Sequence, residues 1–248
     1  MSLQVGLQYL PFKEVVLKAT SFTNSVKNLS IIQLSDLHLN PKVRLEYLES
    51  LVEAINEKNP DIVVFTGDII QSSAKKLKEH LAVFKKIIAP CFYVTGNHDI
   101  IYDPKNLQEI LLTNDIVCLD NKITTLKINN TDIQLIGFAD RYSFVLGKKR
   151  PIKKLLSQLD QDMFTILLTH QPKDSEYILD ARIDIQLSGH THGGQIYPLN
   201  KIIKLFQPYF SGLYTHNKTL LYVTTGLGYW GVNIRFKVPS EIPLFRVN

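Results

Sequence analysis

Five times along this chain an apolar run of strand length ends in a polar cluster. The runs read IIQLSDLH (31–38), IVVFTGD (62–68), FYVTGNHD (92–99), TILLTH (165–170) and IQLSGHTH (185–192). In open α/β sheets, ligands bind beyond the carboxyl ends of the strands. These clusters supply Asp36, His38, Asp68, Asn97, His98, Asp99, His170, His190 and His192, which include five of the seven histidines in the chain. One Asp after a strand is ordinary turn or cap chemistry. Independent turns would not gather most of the histidines at equivalent ends of five strands.

The rest of the pattern is compatible with such a scaffold. Leu45, Leu48, Leu51, Val52 and Ile55 recur at helical spacing, and Pro60 stops that helix. Leu77, Leu81, Phe84, Ile87 and Ile88 predict a second amphipathic helix, and a shorter one is expected around residues 106–112. Residues 123–128 and 133–138 flank Asn129-Asn130-Thr131-Asp132 and predict a hairpin. From about Leu220 the chain predicts strands separated by glycines. Alternating strands and helices give an α/β class, and the hairpins add mixed or antiparallel pairing. Residues 1–28 are set apart as an N-terminal segment that can add a strand to the domain formed by residues 29–248. The opening Met-Ser-Leu resembles an expression scar, which leaves open a native anchor ahead of it.

The chain of 248 residues is 45% hydrophobic and 21% charged, which excludes disordered and low-complexity classes. Cys91 and Cys118 sit in apolar runs and cannot make a disulfide framework, so a reduced, cytoplasmic setting is expected. No run reaches the roughly 18–20 apolar residues of a membrane span. A net charge of +5 does not by itself predict nucleic acid binding.

Carboxylate, amide oxygen and imidazole together suit Mn, Fe or Zn, and the absence of cysteine argues against a structural zinc site. In an extended segment, residues i and i+2 point the same way, so Asp36 with His38, and His190 with His192, are expected to face one cavity. Asp68 can bridge two cations. Two metals about 3.5–4 Å apart can share a hydroxide and clamp an in-line displacement at phosphorus.

Asp36-Leu37-His38, Gly67-Asp68, Gly96-Asn97-His98-Asp99, His170 and Gly189-His190-Thr191-His192 resemble the ordered motifs of the calcineurin-like metallophosphoesterases. The resemblance implies a four-layer α/β/β/α sandwich with mixed sheets and a dinuclear centre at its strand ends. It implies one divalent ion on Asp36, His38, Asp68 and His192, and another on Asp68, Asn97, His170 and His190. His98 is then the acid that protonates the leaving oxygen, and Asp99 the group that holds its imidazole. GHTHGGQI (189–196) and GLGYWGVNIRFKVPSE (226–241) are similar to a bacterial, often membrane-tethered branch. Some members of that branch cleave UDP-2,3-diacylglucosamine in lipid A synthesis.

The expected activity is therefore hydrolysis of a phosphodiester or pyrophosphate by a bridging hydroxide. The alternatives are a nuclease or cyclic-nucleotide phosphodiesterase on the same fold, and a non-catalytic scaffold, in which the metal positions usually decay. Arg141 could fork onto a phosphate, or form a surface ion pair. Gly193 and Gly194 could admit a ligand to the backbone, or make a tight turn. Lys148, Lys149, Arg150, Lys153 and Lys154 are a local basic cluster that could meet anionic headgroups. Ile202, Ile203, Leu205, Phe206, Tyr209 and Phe210 could form an interfacial lid or a short core segment. Tyr229 and Trp230 could line the cleft or pack. A lipid-linked substrate and peripheral contact with the inner membrane face are expected, without a specific nucleic acid partner.

Overall fold

The computed structural model describes residues 10–18, 26, 28–198, 200–201, 204 and 207–247. Strands in the first half read as unbroken apolar runs because both of their faces are covered. In β2 (Leu29–Leu34) and β3 (Ile62–Thr66) every residue is buried. Side chains alternate across the pleat. Ile32, Leu34, Val63 and Phe65 face one cluster, whereas Ile31, Ile62 and Val64 face another.

The first sheet runs β1-β12-β2-β3-β4-β5, where β1 is Phe12–Leu17, β4 Cys91–Val94, β5 Ile116–Cys118 and β12 Ile242–Val247. β2 through β5 are parallel, while β12 is antiparallel to β2 and parallel to β1. The second sheet runs β10-β11-β9-β8-β7-β6, with β6 at Lys122–Ile128, β7 at Thr131–Gly137 and β8 at Phe164–Leu168. Its remaining strands are β9 (Ile185–Ser188), β10 (Gly212–His216) and β11 (Thr219–Val223). β7, β8, β9 and β11 are parallel, with antiparallel β6 and β10 at the edges.

Three apolar clusters separate the layers. One packs Leu48, Leu51, Val52 and Ile55 of α1 (Leu45–Glu57) onto the first sheet. The middle cluster joins Val64, Phe92 and Val94 to Leu135, Ile166 and Leu187 of the second sheet. The third packs Ile136, Phe138 and Leu167 under Ile152 and Leu155 of α5 (Ile152–Leu156) and Ile178. The chain is thus the α/β/β/α sandwich with mixed sheets that was expected, and N-terminal residues 12–17 add an edge strand paired with β12.

Local differences have local causes. The second predicted helix is broken into a 3-10 turn (Ala74–Leu77), α2 (Lys78–Ala82) and another 3-10 turn (Val83–Lys86). Leu77, Leu81, Phe84 and Ile87 are still buried, so packing satisfies that part of the pattern without a continuous α-helix, whereas Ile88 lies beyond these turns and is 84% exposed. The hairpin turn is tighter than predicted, with only Asn129 and Asn130 between the strands. Both adopt positive φ, 49° and 64°, which asparagine tolerates in a two-residue turn. After β11, residues 226–241 form no strand of their own, because their backbone wraps over the strand ends instead. The predicted short helix is α4 (Pro104–Thr113), and α3 (Asn97–Tyr102) precedes it. Of the expected lid, Ile202, Ile203, Leu205 and Phe206 lie outside the described residues.

Candidate metal centre

The segments after β2 and β3 remain paired beyond the strands. Asp36 N donates to Gly67 O at 3.0 Å, His38 N to Asp68 O at 3.0 Å and Leu39 N to Ile69 O at 2.8 Å. This tie carries two motifs to one point. It also bends the backbone sharply, with Asp36, His38 and Asp68 at φ 53°, 46° and 53°. His190 and His192 are likewise at φ 71° and 52°. Such non-glycine conformations cost of order 1–3 kcal/mol each and persist where surrounding bonds enforce them. The expected i, i+2 alternation is therefore corrected. Asp36 and His38 converge through left-handed kinks, and His190 and His192 diverge to different neighbours.

The side chains form two adjoining groups. In one, His38 Nε2 lies 3.0 Å from His192 Nε2, and His192 Nε2 lies 3.4 Å from Asp36 Oδ1. In the other, His170 Nε2 lies 3.2 Å from both Asp68 Oδ2 and His190 Nδ1. Asp68 belongs to both, since the same Oδ2 is 3.8 Å from His38 Nε2. Its other oxygen is taken by the His98 amide at 2.8 Å. Asn97 Oδ1 is buried without a hydrogen-bond partner.

Glycines make room for this convergence. A Cβ on Gly96 would fall 2.1 Å from Asp68 Oδ1, and one on Gly189 2.2 Å from Asp36 Oδ2. Ser35 Oγ donates to Asp36 Oδ2 at 2.6 Å, and His190 N contacts both oxygens of Asp36 at 3.1 and 3.2 Å. Residues 226–228 cover this carboxylate from behind, with Leu227 N bonded to Ser35 O and Gly228 N to Asp36 O.

Burial governs protonation here. It holds His38 and His192 down at about 3 and His190 at about 4, leaving their lone pairs free at neutral pH. Burial would also lower His170, but Asp68 beside it holds it well above the ordinary histidine value. Conversely, burial would raise Asp68, yet contact with His170 keeps its carboxyl below the usual range. His170 Nδ1 meets Thr66 O at 2.8 Å, which directs Nε2 toward Asp68.

This donor set fits divalent cations. Two close pairs of imidazole nitrogens and an orphaned amide oxygen surround a shared carboxylate. An unpaired buried polar atom costs about 1–3 kcal/mol, and a cation placed among these atoms would satisfy them. Three residue groups offer ligand atoms that lie within 4.8 Å of one another: Asp36, His38 and His192; His38, Asp68 and His98; and Asp36, Asp68 and His170. Nitrogen and oxygen donors without sulfur suit Mn, Fe or Zn.

Other expectations fare differently. His98 stands beside the centre, its ring 4.6 Å from that of His38 and 5.9 Å from that of Tyr102. The role expected of Asp99 is corrected. Its carboxylate turns inward to Ile70 N, Gly96 N and Tyr93 OH at 3.1, 2.9 and 3.0 Å, while His98 Nδ1 has no hydrogen-bond partner. Burial and then Asp68 raise the Asp99 carboxyl to about 7. Asp99 braces the first turn of α3, which carries Asn97 and His98.

Arg141 is engaged elsewhere, with Nε 2.6 Å from Asp174 and Nη2 2.5 Å from Glu176. Gly193 and Gly194 are buried turn residues whose added Cβ atoms would meet Thr225 and Asn200, respectively, so they offer no open backbone to a ligand. The sequence reading missed Arg235. Its Nη2 donates to Thr225 O at 2.7 Å and Gly228 O at 2.8 Å, and approaches His192 Nδ1 at 3.3 Å. A lone arginine in a glycine-rich apolar segment was the available signal.

Comparison with known proteins agrees with this geometry. The model of the family described as calcineurin-like phosphoesterase matches residues 29–194. A metallophosphoesterase of Helicobacter pylori is 36% identical over 226 residues, covering 89% of this chain and 60% of that protein. The transmembrane protein with metallophosphoesterase domain of Danio rerio is 35% identical, covering 92% of this chain and 55% of that one. A Bacillus subtilis metallophosphoesterase, YkuE, is 32% identical over 94% of this chain and 83% of its own length. The chain thus spans about 60% of the length of the first of these relatives. Among solved structures, the phosphopantetheinyl hydrolase of Mycobacterium tuberculosis shares the fold at TM-score 0.54 and 13% identity, covering 82% of this chain and 90% of that one. No helix among the described residues is long and apolar enough to cross a membrane. The matched motifs, their meeting around Asp68 and the extent of the similarity show that this chain belongs to the calcineurin-like phosphoesterase family.

Proposed function

We propose that this chain hydrolyses a phosphodiester or pyrophosphate with two divalent cations that share Asp68, and that its substrate is lipid-linked, with UDP-2,3-diacylglucosamine as the leading candidate. The observation that carries the metal reading is the placement of Asp68. One oxygen is fixed by the His98 amide, and the other faces His170 and His38 from between the two ligand groups. When bound, the cations supply hydroxide near neutral pH and neutralise charge on the phosphoryl oxygens. The protein holds Asp68 ionised and His38, His190 and His192 neutral as ligands. His98 stands close enough to His38 to address a leaving oxygen and is assigned the proton transfer, an effect of typically 10²–10⁴-fold.

The substrate assignment draws on the resemblance of residues 189–196 and 226–241 to the lipid-linked branch. A panel of UDP-diacylglucosamine, cyclic nucleotides, nucleic acid and simple mono- and diesters tests it, with products read by mass spectrometry. Release of UMP from the first alone is expected. Turnover of nucleic acid or cyclic nucleotides in its place would reject the lipid-linked assignment. Absence of turnover with every ester in the metal-loaded protein would reject hydrolysis.

A further inference from the structure

Two apolar rims adjoin the metal centre, one through His192 and the other through His98. One lies in the segment that follows β11. Trp230, Val232, Ile234 and Phe236 occupy every second position, and all four are more than half exposed. This segment is fastened from beneath. Gln195 Nε2 donates to Trp230 O and Val232 O at 2.8 and 2.9 Å, Trp230 N donates to Gln195 Oε1 at 2.7 Å, and Arg235 reaches back to His192. The apolar side chains are therefore held outward by bonds to the turn that bears a proposed metal ligand.

The other rim begins at α3, whose Tyr102 ring approaches His98. It continues into the 3-10 segment Arg141–Leu146, which packs against α3. Phe144 is 70% exposed there, next to exposed Val145 and Leu146. Exposed Lys148, Lys149, Lys153 and Lys154 follow directly, and none has a carboxylate within 4.0 Å among the described residues. A cleft of about 550 Å³ beside them is lined by Arg150, Lys153, Lys154, Glu176 and Tyr177, and by none of the proposed metal ligands.

Large apolar side chains exposed together mark interaction sites, and each costs free energy when left in water. Here lysines with no carboxylate within 4.0 Å among the described residues border them. Aromatic and aliphatic side chains edged by cations match an anionic lipid surface, which accepts rings at the headgroup level and attracts each nearby lysine by about 1 kcal/mol. We propose that these two rims dock the molecule on an anionic bilayer and thereby set the metal centre against the headgroup region. This deepens the lipid-linked reading of the proposed function and rests on it for its purpose, although docking itself is measured without turnover.

The chain contains a single tryptophan, Trp230, which lies in the proposed contact and reports on it directly. The unaltered chain is titrated with phosphatidylcholine vesicles and with vesicles containing phosphatidylglycerol, and Trp230 emission is followed together with quenching by brominated lipid. The expected result is a blue shift and quenching on the anionic vesicles. Lys148→Gln combined with Lys149→Gln should weaken partitioning about 30-fold, from two lysines at the stated magnitude. Phe144→Asp and Ile234→Asp should each weaken it further, with melting temperature confirming that these exposed substitutions leave the fold intact. An unshifted spectrum on anionic vesicles, or equal partitioning onto neutral ones, would overturn the proposal. Hydrolysis of a soluble diester in vesicle-free buffer is read separately. A chain that turns over without docking refutes the membrane surface alone, and one that docks without turnover refutes the proposed activity alone.

Discussion

Gly96→Ala tests the site at its most crowded point. Gly96 has φ −100° and ψ 174°, a conformation alanine adopts freely, so the substitution introduces no backbone strain. Its cost is contact. The new Cβ would lie 2.1 Å from Asp68 Oδ1 and 2.3 Å from Asp68 N. Relief to an ordinary contact of about 3.4 Å requires the Asp68 carboxylate to move by roughly 1.3 Å. Overpacking of this kind typically costs about 1–3 kcal/mol. The displaced group is the one shared by both ligand sets, and a 1 Å misplacement at a reacting centre can cost about 10²-fold in rate. Gly96→Ala should therefore lower metal affinity at both positions by about 10–100-fold, the range seen when groups that orient metal ligands are altered. Gly147→Ala is the control. It sits at φ +67° with nothing within 4 Å of the added Cβ, so it should cost about 1 kcal/mol of stability and leave metal binding unchanged. Metal content after dialysis, with calorimetric titration of Mn²⁺, measures both. A folded Gly96→Ala protein that binds two ions with parental affinity would refute the crowding argument.

Further outcomes follow from the same geometry. His98→Ala should keep both metals and lose about 10²–10⁴-fold in turnover of esters with poor leaving groups; parental rates on those esters would remove its acid role. The metal-stripped protein should lose stability on acidification. His38, His190 and His192 take up protons in an unfolded chain near their ordinary 6.5 but in the folded chain only at about 3–4, so stability is full above 6.5 and falls as pH drops toward 4. Asp99 opposes this, because its carboxyl is raised to about 7 and takes up its proton in the folded chain first, whereas His170 is protonated in both states below 6.5 and acts only above it. Melting temperatures of EDTA-treated protein that rise between pH 6.5 and 4 would contradict the balance. Burial pushes the Cys91 and Cys118 thiols up to about 12, so neither should react with iodoacetamide at pH 8 in the native protein, and rapid alkylation of either would count against the packing around it.

The motif residues and the order of strands were legible in the sequence because both are written locally. A strand buried on both faces must be apolar throughout, and β2, β3, β8 and β9 announce themselves that way. Their polar termini then stand out. The way the ligands converge was not legible. Asp36 and His38 look like an extended pair, and only their pairing with residues 67–69 imposes the left-handed kinks. Asp99 follows His98 in sequence, which invited a partnership. At the third position of α3, however, its carboxylate folds back to cap Gly96 N and turns away from the imidazole. Arg141 follows a strand end as the proposed ligands do, but Asp174, 33 residues later, claims it. Long-range partners of this kind leave no mark within the motif. The same holds for Arg235, whose role depends on a wrapped segment with no regular secondary structure to predict.

The central claim is that Asp68 is shared by two cations. Electron paramagnetic resonance of the chain loaded with two equivalents of Mn²⁺ addresses it most directly. Ions about 3.5–4 Å apart across one carboxylate should give an exchange-coupled spectrum, and Asp68→Ala should abolish that spectrum while removing bound metal from both positions. The separate signal of isolated Mn²⁺ in the unaltered chain, or an Asp68→Ala protein that still holds a coupled pair, would contradict the account.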